Sequence, residues 1–447
     1  MKIYKNVAPI LLTLIVGNLS FGQEKTNFSL LEAEEYGVNN NEKVKNSMLD
    51  TEIARKKVWE TLAIGLPQIS AEGQFQQLLD IPVSVVDAKL FNPSAADGEL
   101  LEFRMGQEFS SSLAFNATQL IFDGSYIVGI QFTKFFEKMA STQADNSKQQ
   151  VKAMVREAYY NVLVANENLV LMDSILLSTK SLWEKMKIFA SSGLIKQEEA
   201  DQVEIAYNRI RVSKASGERQ ANVALNLLKL QMGYPFDQPL TLTQTLSDIL
   251  TEINGNNPLL AATSVKENQN FILMEQQKEL DGYALRNQKA AYMPSVGAFF
   301  THSQNAFRNE FDFFEDKPWY PTTILGVSVR IPITSSGQKL MRVQQAEIKI
   351  EQDQNNLDNL EKTLQFQELQ LKTSYESALE MMELEQSNVA LARKIYANAI
   401  IRNQTGVISA LEVTQLQSQL LTAEGNYIMT IMEMLKIKVQ LDNLYNK

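Results

Sequence analysis

The chain has 447 residues, of which 45% are hydrophobic and 21% are charged, and its net charge is −10. It has no cysteine and a single histidine, His302, which excludes disulfides, cysteine-zinc sites and multi-histidine metal centres. The acidic balance argues against a protein that binds nucleic acid by neutralising phosphates. Asp and Glu are plentiful, but no pair of them stands in a glycine-rich or strand-end context. We therefore expect neither catalytic residues nor a metal or cofactor.

The first 22 residues have the order of a secretory signal peptide. The basic residue Lys2 precedes an apolar run over residues 7–16, and the small residues Ser20 and Gly22 follow it. The apolar run is too short to cross a bilayer. We therefore predict a signal peptide over residues 1–22 and a mature chain outside the cytoplasm.

Heptad-like spacing dominates the rest of the chain. Apolar or small residues recur at steps of three and four from Met154 to Ala190, and similar spacing covers residues 357–400 and 411–441. Proline, which would break a helix, is absent from 95–234 and from residue 333 onward. The pattern therefore predicts long, uninterrupted coiled-coil helices.

Four stretches alternate apolar and polar residues with a period of two, which predicts β-strands with one face of each kind. They lie at about residues 68–77, 108–122, 295–303 and 321–333. Each is long enough to cross a bilayer as a tilted barrel strand. No later run of about 20 apolar residues is evident, so we expect any membrane span to be β.

Two side chains of the last strand, Ser328 and Arg330, fall on its polar face, which would be the lumen of a barrel. We expect the connecting stretches 77–108 and 302–320 to be loops, because Pro, Asp, Asn and Gly are frequent there. A sheet in a soluble β-sandwich would alternate in the same way, so the strands alone leave that alternative open.

The chain repeats itself. Leu66-Pro67 corresponds to Met293-Pro294 at the start of a strand, and Ser192–Ile195 corresponds to Thr405–Ile408 between two long helices. An order of helix, two strands, long helix, turn and helix thus occurs twice, which indicates an internal duplication. We assign the first repeat to 23–256 and the second to 257–447. The predicted helical hairpins cover about 127–233 and 338–445, with a segment 234–256 after the first.

These motifs together resemble the TolC-like outer-membrane efflux channel family. The resemblance rests on Leu66-Pro67, Met293-Pro294, Gln119–Gly124, Leu230–Gly233, and on the turns Gly193–Glu199 and Gly406–Glu412. It implies a mainly α fold with a membrane β part, in which a homotrimer builds a 12-stranded β-barrel continued by a long periplasmic α-barrel. Residues 234–256 would form an equatorial belt. The implied location is the outer membrane of a Gram-negative cell, in contact with its lipid.

The resemblance also implies a function without enzymatic activity. Such channel-tunnels export small molecules or polypeptides that arrive from an inner-membrane transporter through a periplasmic adaptor, or membrane fusion protein. The adaptor-docking tips would be Gly193, Leu194, Gly406 and Val407. The periplasmic gate would comprise Glu412, Gln415 and Glu199.

The chain departs from the family pattern at two gate positions. Gln415 stands where the family has a second acid, and Ile408 stands where it often has a basic residue. The alternative function is a periplasmic coiled-coil adaptor or scaffold, but such proteins have one helical hairpin inserted in β domains rather than a duplicated pattern with four amphipathic strands.

Overall fold

The computed structural model describes residues 26–255 and 264–446; the predicted signal peptide lies outside them. The strands are β1 (Asn27–Phe28), β2 (Gln68–Gln77), β3 (Val83–Asp87), β4 (Leu100–Arg104), β5 (Phe109–Asp123), β6 (Thr241–Leu242), β7 (Ser295–Arg308) and β8 (Tyr320–Arg330). The helices are α1 (Leu30–Asn40), α2 (Glu42–Ala63), α3 (Gly124–Ser191), α4 (Gln197–Met232), α5 (Leu246–Gly255), α6 (Gln269–Ala290), α7 (Gln338–Gln404) and α8 (Ala410–Leu444). The fold is mainly α, with a smaller β part.

Four of the strands form one antiparallel sheet in the order β2-β5-β7-β8. The central pair, β5 and β7, comes from the two predicted repeats, so the sheet would join them. Phe109 lies opposite Arg308 at one end of this pair, and Asp123 lies opposite Ser295 at the other. A bulge between Leu120 and Phe122 shifts the register near the start of α3.

The sheet has one apolar and one polar face. Cross-strand pairing places Ile69, Ala117, Phe300 and Leu325 in one row on the apolar face. The adjacent row, on the other face, contains Ser70, Asn116, Thr301 and Ile324. Both outer strands leave their apolar side chains exposed, including Ile69, Leu325 and Val327. The apolar face therefore lacks the cover that a soluble sheet would need.

The stretches expected to be loops contain more strand than the sequence indicated. Residues 83–87 and 100–104 pair as a hairpin, and β7 continues to Arg308. His302 therefore lies within a strand, where its Nδ1 is 2.8 Å from Thr323 Oγ1. The polar run from Ser303 to Asn305 has no apolar alternation, although its backbone remains paired with β5 and β8.

The longest helices are α3, with 68 residues, and α7, with 67, so each extends about 100 Å at 1.5 Å per residue. Within the predicted seam of α3, Val162, Thr179 and Met186 are buried, but Met154 is exposed. By length and composition alone, α3 contains an 18-residue window apolar enough to cross a membrane, of which 22% is buried. This window contains charged residues and is not a run of about 20 apolar residues, so the expectation of a β membrane span stays a prediction.

Residue contacts divide the chain into two units. Unit 1 contains α1, α4 and α5 together with the parts of α3, α7 and α8 nearest the two helix-helix turns. Its core includes Phe28, whose ring lies edge-on to the rings of Tyr36 and Tyr234 at centroid distances of 5.5 and 5.8 Å. Strands β1 and β6 pair in parallel, so the segment after α4 is fixed to the stretch just before α1.

Unit 2 contains the four-stranded sheet, α2 and α6. The Gln119–Gly124 motif forms its strand-to-helix junction. The Gln119 side-chain amide donates to the carbonyl of Gly65, and the Asp123 carboxylate accepts the Tyr126 backbone N–H at 2.8 Å, which caps α3. A Cβ on Gly124 would lie 2.7 Å from Met293 Sδ, so only glycine fits. The motif is structural rather than functional.

Candidate functional site: the helix-helix turns and a polar stripe on α8

The two helix-helix turns have the same backbone conformation. Gly193 and Gly406 have φ angles of 67° and 72°, a left-handed conformation that favours glycine. Leu194 donates its N–H to the Phe189 carbonyl at 2.9 Å. In the second repeat, Val407 donates to the Arg402 carbonyl, also at 2.9 Å. Each turn is thus a Schellman helix terminus, which satisfies carbonyls that the helix end leaves free.

The residues after each glycine alternate between solvent and core. Leu194 and Val407 are 71% and 62% exposed, whereas Ile408 is only 8% exposed. A Cβ added to either glycine would meet no atom within 4 Å, so the surface in front of both turns is open. Burial explains why Ile408 stands where the family often has a basic residue, because a charged side chain at that position would have to be desolvated.

Apolar packing in unit 1 supports both turns. Ala410, the first residue of α8, lies in one buried cluster with Met186, Ala200 and Val203. A second cluster contains Ala399, Ile408 and Val413. Leu182 of α3 packs against both clusters, so the beginnings of α4 and α8 are held against the same stretch of helix.

The three predicted gate residues are placed differently. Glu412 and Gln415 are exposed on α8, whereas Glu199 is half-buried in the first turn of α4. Ser409 Oγ accepts the backbone N–H of Glu412 at 3.2 Å and caps α8. In the described part of the chain, none of the three side chains makes a hydrogen bond or an ion pair. The structure therefore leaves these groups available, but it does not join them to one another.

Glu412 and Gln415 begin a longer row of polar residues at steps of three and four along α8. This polar stripe consists of Glu412, Gln415, Gln419, Thr422 and Asn426, all exposed. Part of it borders a groove of about 610 Å³ between α7 and α8, which is also lined by Glu385 and Asn388. Only its first two members were predicted from the sequence, although the spacing on the face opposite Val413 and Leu420 also indicates the others.

A buried polar network lies one turn beyond Val413. Gln417 is 2% exposed, and its Nε2 donates to Thr179 Oγ1 at 2.7 Å and to the Tyr396 hydroxyl at 3.0 Å. Ser178 Oγ lies 2.8 Å from the same hydroxyl. Burial raises the pKa of Tyr396, and this effect is larger than that of the two hydrogen bonds, which lower the pKa. The network joins α3, α7 and α8, and the apolar pattern of the sequence did not predict it.

The other predicted positions lie on the sheet. Ser328 Oγ is 3.4 Å from the Gly297 carbonyl, and Arg330 is opposite Ser295, both on the polar face. Gly326 on the same face has the Phe299 ring over it, where a Cβ would approach to 2.6 Å. Among the described residues, no group of three or more His, Cys, Asp or Glu side chains is arranged to hold a metal ion.

Comparison with known proteins agrees with this architecture. Residues 263–447 match the family model described as outer membrane efflux protein. The outer membrane channel CmeC of Campylobacter jejuni superposes with a TM-score of 0.68 and 14% identity, covering 93% of this chain and 85% of that one. The outer membrane protein VceC of Vibrio cholerae gives a TM-score of 0.66 with 14% identity, over 93% and 95% of the two chains.

The resemblance to TolC-like outer-membrane efflux channels is therefore confirmed in the fold and, over residues 263–447, in the match to the efflux-protein family model. The chain also matches the proteases secretion protein PrtF of Dickeya chrysanthemi with 22% identity over 228 residues. That match covers 49% of this chain and 48% of PrtF, so it spans only about half of either protein.

Proposed function

We propose that three copies of the chain close a 12-stranded barrel in the outer membrane. The observation that carries this proposal is the four-stranded sheet, in which β2 and β8 pair on one side only within the described residues. Unpaired backbone groups at a sheet edge are not tolerated in lipid, so a membrane sheet must close on itself. Three copies of four strands supply twelve, a number that leaves an aqueous interior.

The helices support the same assembly. Apolar side chains remain exposed along unit 1, including Val170 and Leu177 on α3 and Val212 and Val223 on α4. Surfaces of this kind are normally covered by another protein or by lipid. In a trimeric α-barrel, neighbouring copies would cover them, and the polar stripe would face the water-filled tunnel.

The proposed activity is export through a gated, water-filled channel. In the closed trimer, three copies of Glu412 would form a ring of negative charge that favours cations and admits polyvalent cations as blockers. The exposed turn residues Leu194 and Val407 would contact a periplasmic adaptor, and docking would open the tip. The driving energy would come from an inner-membrane transporter, since the channel itself lowers no chemical barrier.

The proposed cargo is a small molecule or a polypeptide. The printed name of PrtF refers to secretion of proteases, which favours polypeptides, whereas CmeC is described as an outer membrane channel without a stated cargo. Deleting the chromosomal copy and comparing drug resistance with the set of secreted proteins would separate the two cargo classes.

The mass of the purified protein in a mild detergent tests the assembly. We expect a mass of three chains after correction for bound detergent, and recovery from the outer-membrane fraction. A chain that is monomeric and recovered from the soluble periplasm would instead support the adaptor or scaffold alternative.

A further inference from the structure

A pair of carboxyl groups, one buried and one half-buried, connects α6 to α7 in unit 2. Asp353 of α7 is 1% exposed, and its Oδ1 accepts a hydrogen bond from Lys349 Nζ at 2.6 Å. Its Oδ2 is also buried, yet it receives no hydrogen bond from any described residue. The carboxyl of Asp281, on α6, lies within hydrogen-bonding reach of Asp353 and accepts from Gln277 Nε2 at 3.1 Å.

The charges around this pair do not balance. Two acidic groups share one cation, Lys349, and burial disfavours a second negative charge. Burial raises the pKa of Asp281, and the hydrogen bond with Asp353 and the charge of that carboxylate raise it further, whereas Gln277 and Lys349 act in the opposite direction.

Among the described residues, the cation that acts on the pair is Lys349, which bonds to Asp353. Lys278 of α6 donates to the side-chain carbonyl of Gln354 on α7. From α3, the hydroxyl of Thr142 accepts from Gln276 Nε2 at 3.0 Å, and both of those groups are neutral.

We propose that Asp281 and Asp353 share one proton and form a proton-binding site that fastens α6 to α7. The protonated Asp281 donates to Oδ2 of Asp353, which satisfies the orphaned oxygen, while Oδ1 keeps its bond to Lys349. Loss of the proton removes the donor and leaves two like charges in contact. Because α6 leads into β7 and α7 follows β8, the site controls packing where these strands meet their helices.

The sign of the pH dependence follows from the raised pKa. The folded chain binds this proton more tightly than the unfolded chain, so the site stabilises the fold most in acid. That contribution is lost as pH rises from the unfolded value of about 4 through the higher folded value. An Asp281→Asn side chain supplies an N–H donor to Asp353 at every pH, and it should remove this loss.

Melting temperatures of the purified, detergent-solubilised protein test the proposal between about pH 4 and 9. Asp50→Asn is the matched control, since Asp50 is an exposed aspartate on α2 in the same unit. We expect the difference in melting temperature between Asp281→Asn and the wild type to increase with pH and then level off. The difference between the control and the wild type should not change with pH. A difference for Asp281→Asn that does not change with pH would overturn the proposal.

Infrared spectroscopy gives a second, independent readout. A protonated carboxyl band should persist to a higher pH in the wild type and in Asp50→Asn than in Asp281→Asn. Loss of the band at the same pH in all three proteins would refute proton sharing. Neither measurement depends on transport, so a negative result here would leave the channel proposal intact.

Discussion

At the residue scale, Glu412 is the one charged side chain in the polar stripe. We expect Glu412→Ala to weaken block by trivalent cations added on the tip side, because it removes three like charges from the proposed constriction. The measurement is the blocker concentration that halves the current through single channels in a planar bilayer.

Glu433→Ala is the matched control for this change. Glu433 is also exposed on α8, about six turns further along the helix, so its replacement removes equal charge away from the tip. Unchanged block in Glu412→Ala would remove Glu412 from the gate, and equal weakening in both variants would indicate a general effect of net charge.

Gln417 is the residue whose role was least visible in the sequence. Gln417→Leu should keep the side-chain volume but break the bonds to Thr179 and Tyr396, and lost buried hydrogen bonds typically cost about 1–3 kcal/mol. We expect a lower melting temperature, measured in detergent. Gln419→Leu, at an exposed position of the same helix, is the control and should change the melting temperature little. An unaltered melting temperature in Gln417→Leu would show that the network does not stabilise the bundle.

At the element scale, the two turns were the best-specified part of the site. Glycine followed by an aliphatic pair predicted a tight turn in each repeat, and both turns adopt the same Schellman geometry. The sequence did not show which aliphatic residue faces solvent, because that depends on the neighbouring helix. Leu182 packs beside Ile195 in one cluster and Ile408 in the other, which leaves Leu194 and Val407 outside.

Substitution of a turn glycine tests the docking role of this element. Gly406→Asp should abolish transport while membrane insertion remains normal, because a charged side chain would stand where an adaptor approaches. Gly98→Asp is the control: Gly98 also has a positive φ, 82°, and open space around its Cβ position, but it lies in the β3–β4 hairpin. Normal transport by Gly406→Asp would contradict the docking claim.

The strands show where the alternation of apolar and polar residues no longer predicts the bounds of a strand. Alternation located the core of all four strands, since each has apolar residues on one face. It did not reveal the end of β7 from Ser303 to Arg308, because those positions are mostly polar on both faces. It also missed the short β3–β4 pair, whose five-residue strands lie in a segment rich in turn-forming residues.

At the scale of the whole molecule, order and duplication of motifs carried more information than any single motif. The Asp123 carboxylate and Gly124 explain a strand-to-helix junction, and they would not by themselves indicate a channel. The buried face of α8 also differs from the predicted one. Gln417 and Glu424 are buried, whereas the apolar pattern placed the residues next to them in the core. In the proposed trimer, contacts between copies would decide which exposed apolar residues become interior, and the sequence pattern of one chain does not distinguish those residues.

Conductance in a planar bilayer tests the central claim most directly. Purified protein extracted with detergent should produce discrete, cation-selective openings, and trivalent cations added on the tip side should reduce them. No openings, from a protein that stays soluble without detergent, would contradict the account, because the sheet would then be an ordinary soluble one rather than a third of a membrane barrel.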